Sequence, residues 1–415
     1  MGGNARFVRS AATQAWLSQF DPREQHTAQA MLEAMLLISR DEFSERLQAL
    51  VRERIDAESG RVALYVEREV PGRKGVPHRL FKESKGRPRR AYGKGPDPIM
   101  PVRPYDLEVG SEGIVAQLLT EICRASKGKA VMQPGPDAIR RKKIRRFILV
   151  TDFLGSGRRS WLYLEAAWRV ASVRSWWSRR ASKGMSFEVI TYTSTSAGLN
   201  FVRSHASSPR VWQVTGCPTI GNSFNYAERN DIKKLCRNRN PDKSFPALGF
   251  NDTGALIAFA HGAPNNCPAC LFKSGKGWQP LFPSRVTELA RTSFTPEDPQ
   301  EEVSARLVQM GQSRLADPAL KVVVASRRPL LLVMAALSRP PRTTVAVSRK
   351  TRLTLFEVEA QIAKGQKLGW IDVGNRVTDA GHAELARVRL ASRCFAAVPA
   401  EPKTPYYPTS LRAPM

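Results

Sequence analysis

Long apolar runs are missing from this chain. Its longest aliphatic stretch, LLLVMAAL at 330–337, falls well short of the ~20 residues that cross a bilayer as a helix. The opening residues, MGGNARFVRSAATQAW, hold no apolar signal core. Cysteine is sparse and scattered, at Cys123, Cys217, Cys236, Cys267, Cys270 and Cys394. These absences predict a cytoplasmic protein with reduced thiols and no membrane partner. Acids are scarce too, with Asp+Glu 37 against Lys+Arg 65 and a net charge of +28. Such an imbalance says little about fold, but it favours a polyanionic partner, most simply nucleic acid. Gly-x-Ser-x-Gly is missing around Ser156, and His26, His78, His205 and His382 sit in no triad-like context. Nucleophilic hydrolysis is therefore not expected.

What remains is an ordinary globular composition, 42% hydrophobic and 25% charged. A chain of 415 residues divides into two or three modules. Residues 1–58 read as helical: AQAMLEAMLLI is apolar, and SRDEFSERLQALVRERI opens with Ser39 and Glu42 at capping-box spacing. RVALYVERE (61–69) reads as the first strand. Residues 71–104, rich in proline, glycine and cations, read as a long mobile basic loop. GSEGIVAQLLTEICRAS (110–126) is an amphipathic helix that Ser111 can cap. DAIRRKKIRR (137–146) is a dense basic run, either a solvated face or a phosphate-contacting patch.

Strand candidates SFEVITYTSTS (186–196), RVWQVTG (210–216) and GALIAFAHGAPNN (254–266) follow, with SWLYLEAAWRVASVRSWW as one long helix ahead of them. Strands alternating with helices predict an α/β domain over 59–312 with a mostly parallel sheet. In such sheets ligands collect beyond the carboxyl ends of strands.

One stretch stands at such an end. FILVTDFLGSGRRS (147–160) runs from an apolar strand into Asp152, then Gly155, Ser156 and Gly157, then Arg158 and Arg159. A phosphate loop of the GxxxxGK[ST] type fails, because no Lys-Ser/Thr follows the second glycine. A dinucleotide fingerprint fits poorly, because the acid precedes the glycines. A tight turn that merely needs glycine is the bland alternative. The remaining reading is a sugar-phosphate loop: the acid accepts ribose hydroxyls, backbone N–H groups close on a phosphate, and the arginines add charge-assisted bonds.

The stretch resembles the phosphoribosyltransferase signature of apolar residues, two acids, two variable positions, a small residue, Ser/Thr, Gly, any residue and Thr. Asp152 fills the second acidic position, and Gly155, Ser156 and Gly157 fill the small, hydroxyl and glycine positions. Thr151 stands in place of the first acid and Arg159 in place of the closing Thr. The first departure weakens the grip on ribose and on any Mg²⁺ that accompanies a pyrophosphorylated sugar.

More broadly, EVGSEGIVAQLL, GALIAFAHGAPNNCPACLF and GWQPLFPSR resemble, in order, segments of phosphoribosyltransferase-like proteins of bacterial conflict systems. Some of these accompany retron reverse transcriptases. The resemblance covers about residues 55 to 290. It implies a pyrophosphate loop at Gly110, Ser111, Glu112 and Gly113, and a role as an effector of anti-phage defence. It leaves open a catalyst, a ligand sensor that alters nucleic-acid binding, and a structural partner of a reverse transcriptase–RNA complex.

HGAPNNCPAC (261–270) offers His261, Cys267 and Cys270 as metal ligands, with Cys217 as a fourth. The second close ligand pair of a structural zinc site is absent, so packed thiols are expected. Asn265 and Asn266 are expected as turn formers near the sheet's carboxyl end.

From about 320 the texture changes to three helices, a hairpin around Gly374-Asn375 and a last helix from His382. This pattern, 320–395, resembles a winged helix, followed by a Pro-rich tail at 396–415 expected to be disordered. The third helix, capped by Thr354 and Glu357, buries Leu355, Val358 and Ile362. Arg349, Lys350, Arg352, Lys364 and Lys367 flank it, and Arg376 sits in the wing. These are the candidate nucleic-acid contacts.

Overall fold

The computed structural model describes residues 5–97, 99, 111–182, 184–287, 294, 299–316 and 319–394. Gly110 and the tail 396–415 lie outside the described residues. The chain forms two compact units, Met1–Glu297 with Thr343–Ala360, and Asp298–Arg342 with Gln361–Met415.

The first unit is built on a five-stranded, fully parallel sheet of β1 (Val62–Val66), β2 (Ala130–Met132), β3 (Arg146–Leu154), β4 (Ser186–Ser194) and β5 (Arg210–Gly216). Their order is β5-β4-β3-β1-β2. Both faces are covered, so the inner strands read as continuous apolar runs rather than alternations. Val62, Leu64, Ile148, Val150, Ile190 and Tyr192 face one core. Ala63, Tyr65, Phe147, Leu149, Phe187 and Val189 face the other.

Several local readings are corrected. AQAMLEAMLLI is a helix only to Glu33; Leu36–Ile38 is a strand pairing with Ile257–Phe259. That pair is a separate two-stranded sheet, so GALIAFAHGAPNN does not join the main one. Strand β2, missed in the sequence, is only AVM and half-exposed at its end. The predicted long helix breaks at Val170 into Arg158–Trp168 and Ala171–Ser178. Val170 is extended and fully buried, and Glu83 caps the second piece by accepting from the Ala171 N–H at 2.6 Å.

The described part of the 71–104 loop is folded rather than mobile. It makes two antiparallel ribbons, Gly72–Arg73 with Val76–Pro77 and Lys82–Glu83 with Ala91–Tyr92. Phe81 and Ala91 anchor the second ribbon in the core.

The second unit packs the helices Arg328–Leu337 and Asp379–Cys394 around Leu330, Val333, Leu337, Leu385 and Val388. Ile371 bridges Val377 across a turn in which Asn375 is left-handed (φ 60°), as the hairpin reading expected. The middle helix of the winged pattern, Thr344–Thr351, belongs by its contacts to the first unit. It packs on β5, where Ser348 Oγ meets Thr215 Oγ1 at 3.1 Å.

Candidate functional site

Strand β1 leads toward β2 on one side and β3 toward β4 on the other, so the order reverses between β1 and β3. Crevices form at such switch points beyond the carboxyl ends of the strands. Here Glu67 directly follows β1 and β3 delivers Asp152. A cavity of about 840 Å³ opens at this point, lined by both acids, Glu112, the glycine loop, His261 and Arg285, among others.

Asp152 Oδ1 accepts from the Phe153 N–H at 2.8 Å, while Oδ2 lies 3.5 Å from His261 Nε2. Burial pushes this carboxyl up, but His261, Arg159 and the Ser111 hydroxyl outweigh it and hold it below the usual range.

Thr151, the departure from the signature, is not an empty substitution. Its hydroxyl lies 2.8 Å from Glu67 Oε2 and 3.2 Å from Asp152 Oδ1. Ser160 Oγ donates to the other Glu67 oxygen. A carboxylate that follows the neighbouring strand thus sits against the Thr151 hydroxyl. Burial raises the Glu67 carboxyl above its ordinary value, with Arg159 and the two hydroxyls opposing.

Arg159 ties the acids together. Its Nη1 lies 2.9 Å from Glu112 Oε1 and 3.9 Å from Glu67 Oε2. Burial alone would lower the guanidinium's pKa, but Glu67, Glu112, Asp152 and Glu69 together raise it. Ser111 and Glu112, expected in a pyrophosphate loop, begin the helix Ser111–Ala125 and line the cavity, while Gly113 is not among the lining residues.

The glycine loop is packed from behind and open in front. A Cβ on Gly155 would sit 2.2 Å from Asn266 Oδ1, and the Gly155 carbonyl accepts from Thr195 Oγ1 at 2.6 Å. Gly157 is left-handed (φ 71°) and caps the helix Arg158–Trp168, with a would-be Cβ 2.5 Å from the Gly198 carbonyl oxygen. Side chains are therefore excluded at both positions. No acceptor among the described residues takes the N–H of Gly155, Ser156 or Gly157. These amides, at a helix N-terminus beside a cavity, suit an anionic oxygen. Arg158 is exposed on the same wall.

Asn266 is held by its amide donating to the Phe250 carbonyl (3.1 Å) and Thr253 Oγ1 (3.0 Å). It is more than a turn former, because it is the backstop for Gly155.

The sequence offers His261 only as a metal ligand, and the structure corrects this. Cys267 and Cys270 are in the core, the Cys267 thiol donating to the Ile257 carbonyl at 3.0 Å and pushed up to about 12 by burial. His261 instead faces Asp152. Its ring lies edge-on to Phe43 (5.0 Å) and stacks on Phe259 (4.8 Å). Both ring nitrogens are buried without a hydrogen-bond partner among the described residues. Glu67 and Arg285 are among the cavity residues that sequence reasoning missed, and it gave His261 a different role. Only Glu67 left a signal, as an acid ending a strand. Ser284 and Arg285 are both left-handed (φ 50° and 69°), a strained pair on the cavity wall.

One other histidine is also corrected. His205 Nδ1 lies 2.8 Å from Ser207 Oγ and Nε2 lies 3.2 Å from Glu165 Oε2, a triad-like chain. Ser207 and His205 are 1% and 2% exposed, so no substrate reaches them.

The expected Mg²⁺ accompanies a pyrophosphorylated sugar, and such an ion needs only one or two protein carboxylates beside the phosphates. Among the described residues no three His, Cys, Asp or Glu gather as metal ligands. Both Glu67 oxygens are already taken by hydroxyls. No step below runs through a metal ion.

Of the candidate nucleic-acid contacts, Arg352 and Arg349 are built into the first unit rather than displayed. Arg352 donates to the Met35 carbonyl at 2.7 Å, and its own carbonyl accepts from Arg46 at 3.0 Å. Arg349 lies half-buried beside Cys217, its pKa lowered by burial. Lys350 is half-buried too. The cause is that their helix covers β5. Lys364, Lys367 and Arg376 are exposed on the second unit. The capping box is as expected: Glu357 N–H donates to Thr354 Oγ1 (3.0 Å) and Thr354 N–H to Glu357 Oε2 (2.7 Å).

A parallel doubly wound sheet with a strand-end acid and an open glycine loop at its switch point is a phosphoribosyltransferase-like arrangement. The PRTase-CE family model matches residues 13–284, and the wHTH-PRTase associated model matches 331–413. The chain belongs to the PRTase-CE family and carries the associated winged helix-turn-helix domain. No curated protein and no solved structure matches it.

Proposed function

We propose that the cavity binds a ribose phosphate, as a nucleotide or a pyrophosphorylated sugar. The observation that carries this is the run of amides at Gly155–Gly157, shortly after Asp152 at the switch point of the sheet, that have no acceptor among the described residues. The loop amides and the helix N-terminus take the 5′-phosphate, and Arg158 adds charge. Asp152, ionised and fixed by the Phe153 amide, accepts sugar hydroxyls. Glu67 stands in for the signature's first acid and, with Thr151, sets the position of Asp152. Arg159 holds Glu112 and Glu67 in register and keeps the acid cluster from repelling itself.

Calorimetric titration with ribose 5-phosphate, phosphoribosyl pyrophosphate and nucleotides tests the reading. Binding that Asp152→Asn removes supports it; no binding of any of them ends it. Turnover followed by chromatography then separates a catalyst from a ligand sensor. Lys364, Lys367 and Arg376 on the winged-helix domain contact nucleic acid in this reading, and an oligonucleotide shift assay with their charge-reversed variants tests that part. The resemblance to conflict-system proteins adds a role as an effector of anti-phage defence, and a plaque assay comparing the parent with Asp152→Asn decides it.

A further inference from the structure

Two basic segments of the sequence, the ribbon region and DAIRRKKIRR, play no part in the cavity. The fold brings them together. Gly93 N–H donates to Asp137 at 2.7 Å, and Arg140 donates to the Ala91 carbonyl. Ala91 N–H donates to Ser172 Oγ at 2.9 Å, tying the ribbon to the helix Ala171–Ser178. Arg145 donates to the Ser182 carbonyl at 3.2 Å, closing the patch at its far edge.

The resulting face is almost purely cationic. Lys82, Lys85, Arg89, Arg90, Lys143 and Arg180 are all exposed on or beside these segments, and Lys142 next to Lys143 is half-buried. None of the six has a carboxylate partner among the described residues. The two acids on the segments, Glu83 and Asp137, are already paired with Arg79 and Arg140. Aromatic rings lie between the cations. Tyr92 is 48% exposed, Arg180 covers Trp177 at 3.6 Å, and Arg140 lies 5.5 Å over Trp176. The backbone beneath is fixed, because Ser84 N–H donates to the Arg90 carbonyl across the ribbon at 2.9 Å and Arg90 N–H donates to Ser84 Oγ at 2.9 Å. Like charges held together on a rigid surface repel one another and call for an external polyanion. Crowding is felt at Arg140, whose pKa is lowered by burial first and by Arg90 next.

We propose that this face, formed by the Lys82–Tyr92 ribbon and the helices Pro136–Arg141 and Ala171–Ser178, binds the phosphate backbone of a nucleic acid. Its cations meet phosphates rather than base edges, so binding is insensitive to sequence. Exposed Tyr92 offers a stacking surface to an unpaired base. The surface belongs to the α/β unit. It is separate from the winged helix and goes beyond the ribose-phosphate reading of the cavity.

The test uses the full chain and a fluorescein-labelled oligouridylate, with anisotropy read across a salt series. Three charge-reversed variants are compared: Lys82→Glu/Lys85→Glu/Arg89→Glu/Arg90→Glu, Lys142→Glu/Lys143→Glu, and Lys364→Glu/Lys367→Glu. The first two alter separate segments of the face, so failure of one to fold leaves the other as a test. We expect the ribbon variant to bind ~10-fold or more weakly, with the log–log salt slope flatter by ~0.7 for each phosphate no longer neutralised. The Lys142/Lys143 variant shows a smaller change in the same direction. Parent-like affinity and slope in both face variants overturn the proposal. So does weakened binding to phosphatidylserine vesicles in those variants while oligonucleotide binding stays intact.

Discussion

The two ends of one sheet hold buried charges in opposite ways. At the amino end, Glu188 on β4 is 1% exposed and fully engaged. One oxygen meets Arg146 Nη1 at 2.9 Å; the other meets Trp212 Nε1 at 2.8 Å and Arg54 Nε at 3.4 Å. Arg146 in turn holds Glu58 at 2.8 Å, and Arg54 lies 3.9 Å over the Trp212 ring. At the carboxyl end the balance is left incomplete. Asp152 faces His261 at 3.5 Å, and among the described residues neither the two histidine nitrogens nor the loop amides have a hydrogen-bond partner. The same fold thus closes one polar network and leaves another with bonds to give. Closed networks hold a structure in place; open ones beside a cavity suit a ligand.

The contrast can be broken most forcefully at the closed end. Glu188→Gln removes the buried charge that Arg146 and Arg54 share, leaving Arg146 with Glu58 alone, and costs about 3 kcal/mol of stability. Urea unfolding reads it, and a drop below about 1 kcal/mol would mean the network is not closed. At the open end the order of effects reverses. Asp152→Asn lowers affinity for ribose 5-phosphate by ~10- to 100-fold, the worth of a charged hydrogen bond, and changes stability little. Calorimetry paired with thermal melts checks both halves.

His261→Phe sharpens the comparison further. It keeps the ring packing on Phe43 and Phe259 and removes an Nδ1 that has no partner among the described residues, but it also takes from Asp152 the imidazole 3.5 Å away, so the two effects offset and stability changes by less than ~1 kcal/mol. Ligand affinity falls, because Asp152 no longer has the imidazole beside it. A histidine serving packing alone would give a lower melting temperature and unchanged binding.

The smallest effect is in pH. Glu67 has a raised folded pKa, so its contribution is favourable below the unfolded value and is lost as pH rises through the folded one. Glu58, at the amino end, is lowered: burial pushes it up, but the Gly60 amide and Arg146 prevail. Its stabilisation is present above the unfolded value and is lost as pH falls through the folded one. Glu67→Gln should therefore gain stability relative to the parent as pH rises from about 4 toward 8, by about 1 kcal/mol at most. Glu58→Gln should lose it over the same rise, because the parent gains a stabilisation there that the variant lacks. Melting curves across pH give both slopes, and equal slopes would erase the distinction between the two ends.

Legibility followed range. The strand, acid and glycine loop at 147–160 were readable because a buried strand, a left-handed cap and a helix start are each written in neighbouring residues. Capping at Thr354–Glu357 was readable for the same reason. The ribbon at 82–92 was not, because its anchors Phe81 and Ala91 mean nothing until the core they enter exists. Nor was the tethering of Arg352, which depends on a carbonyl 317 residues away.

By itself, then, the sequence determined the α/β alternation, the glycine loop with its Asp152, the winged pattern and the large positive charge. All of these are local periodicities or totals. Tertiary structure alone decided that Glu67 meets the Thr151 hydroxyl, a pairing across 84 residues. It also decided that His261 leaves the cysteines to face Asp152, and that two basic segments share one face. The physical reason is that strand order sets which strand ends become neighbours, and strand order is a property of the whole packed core rather than of any window along the chain.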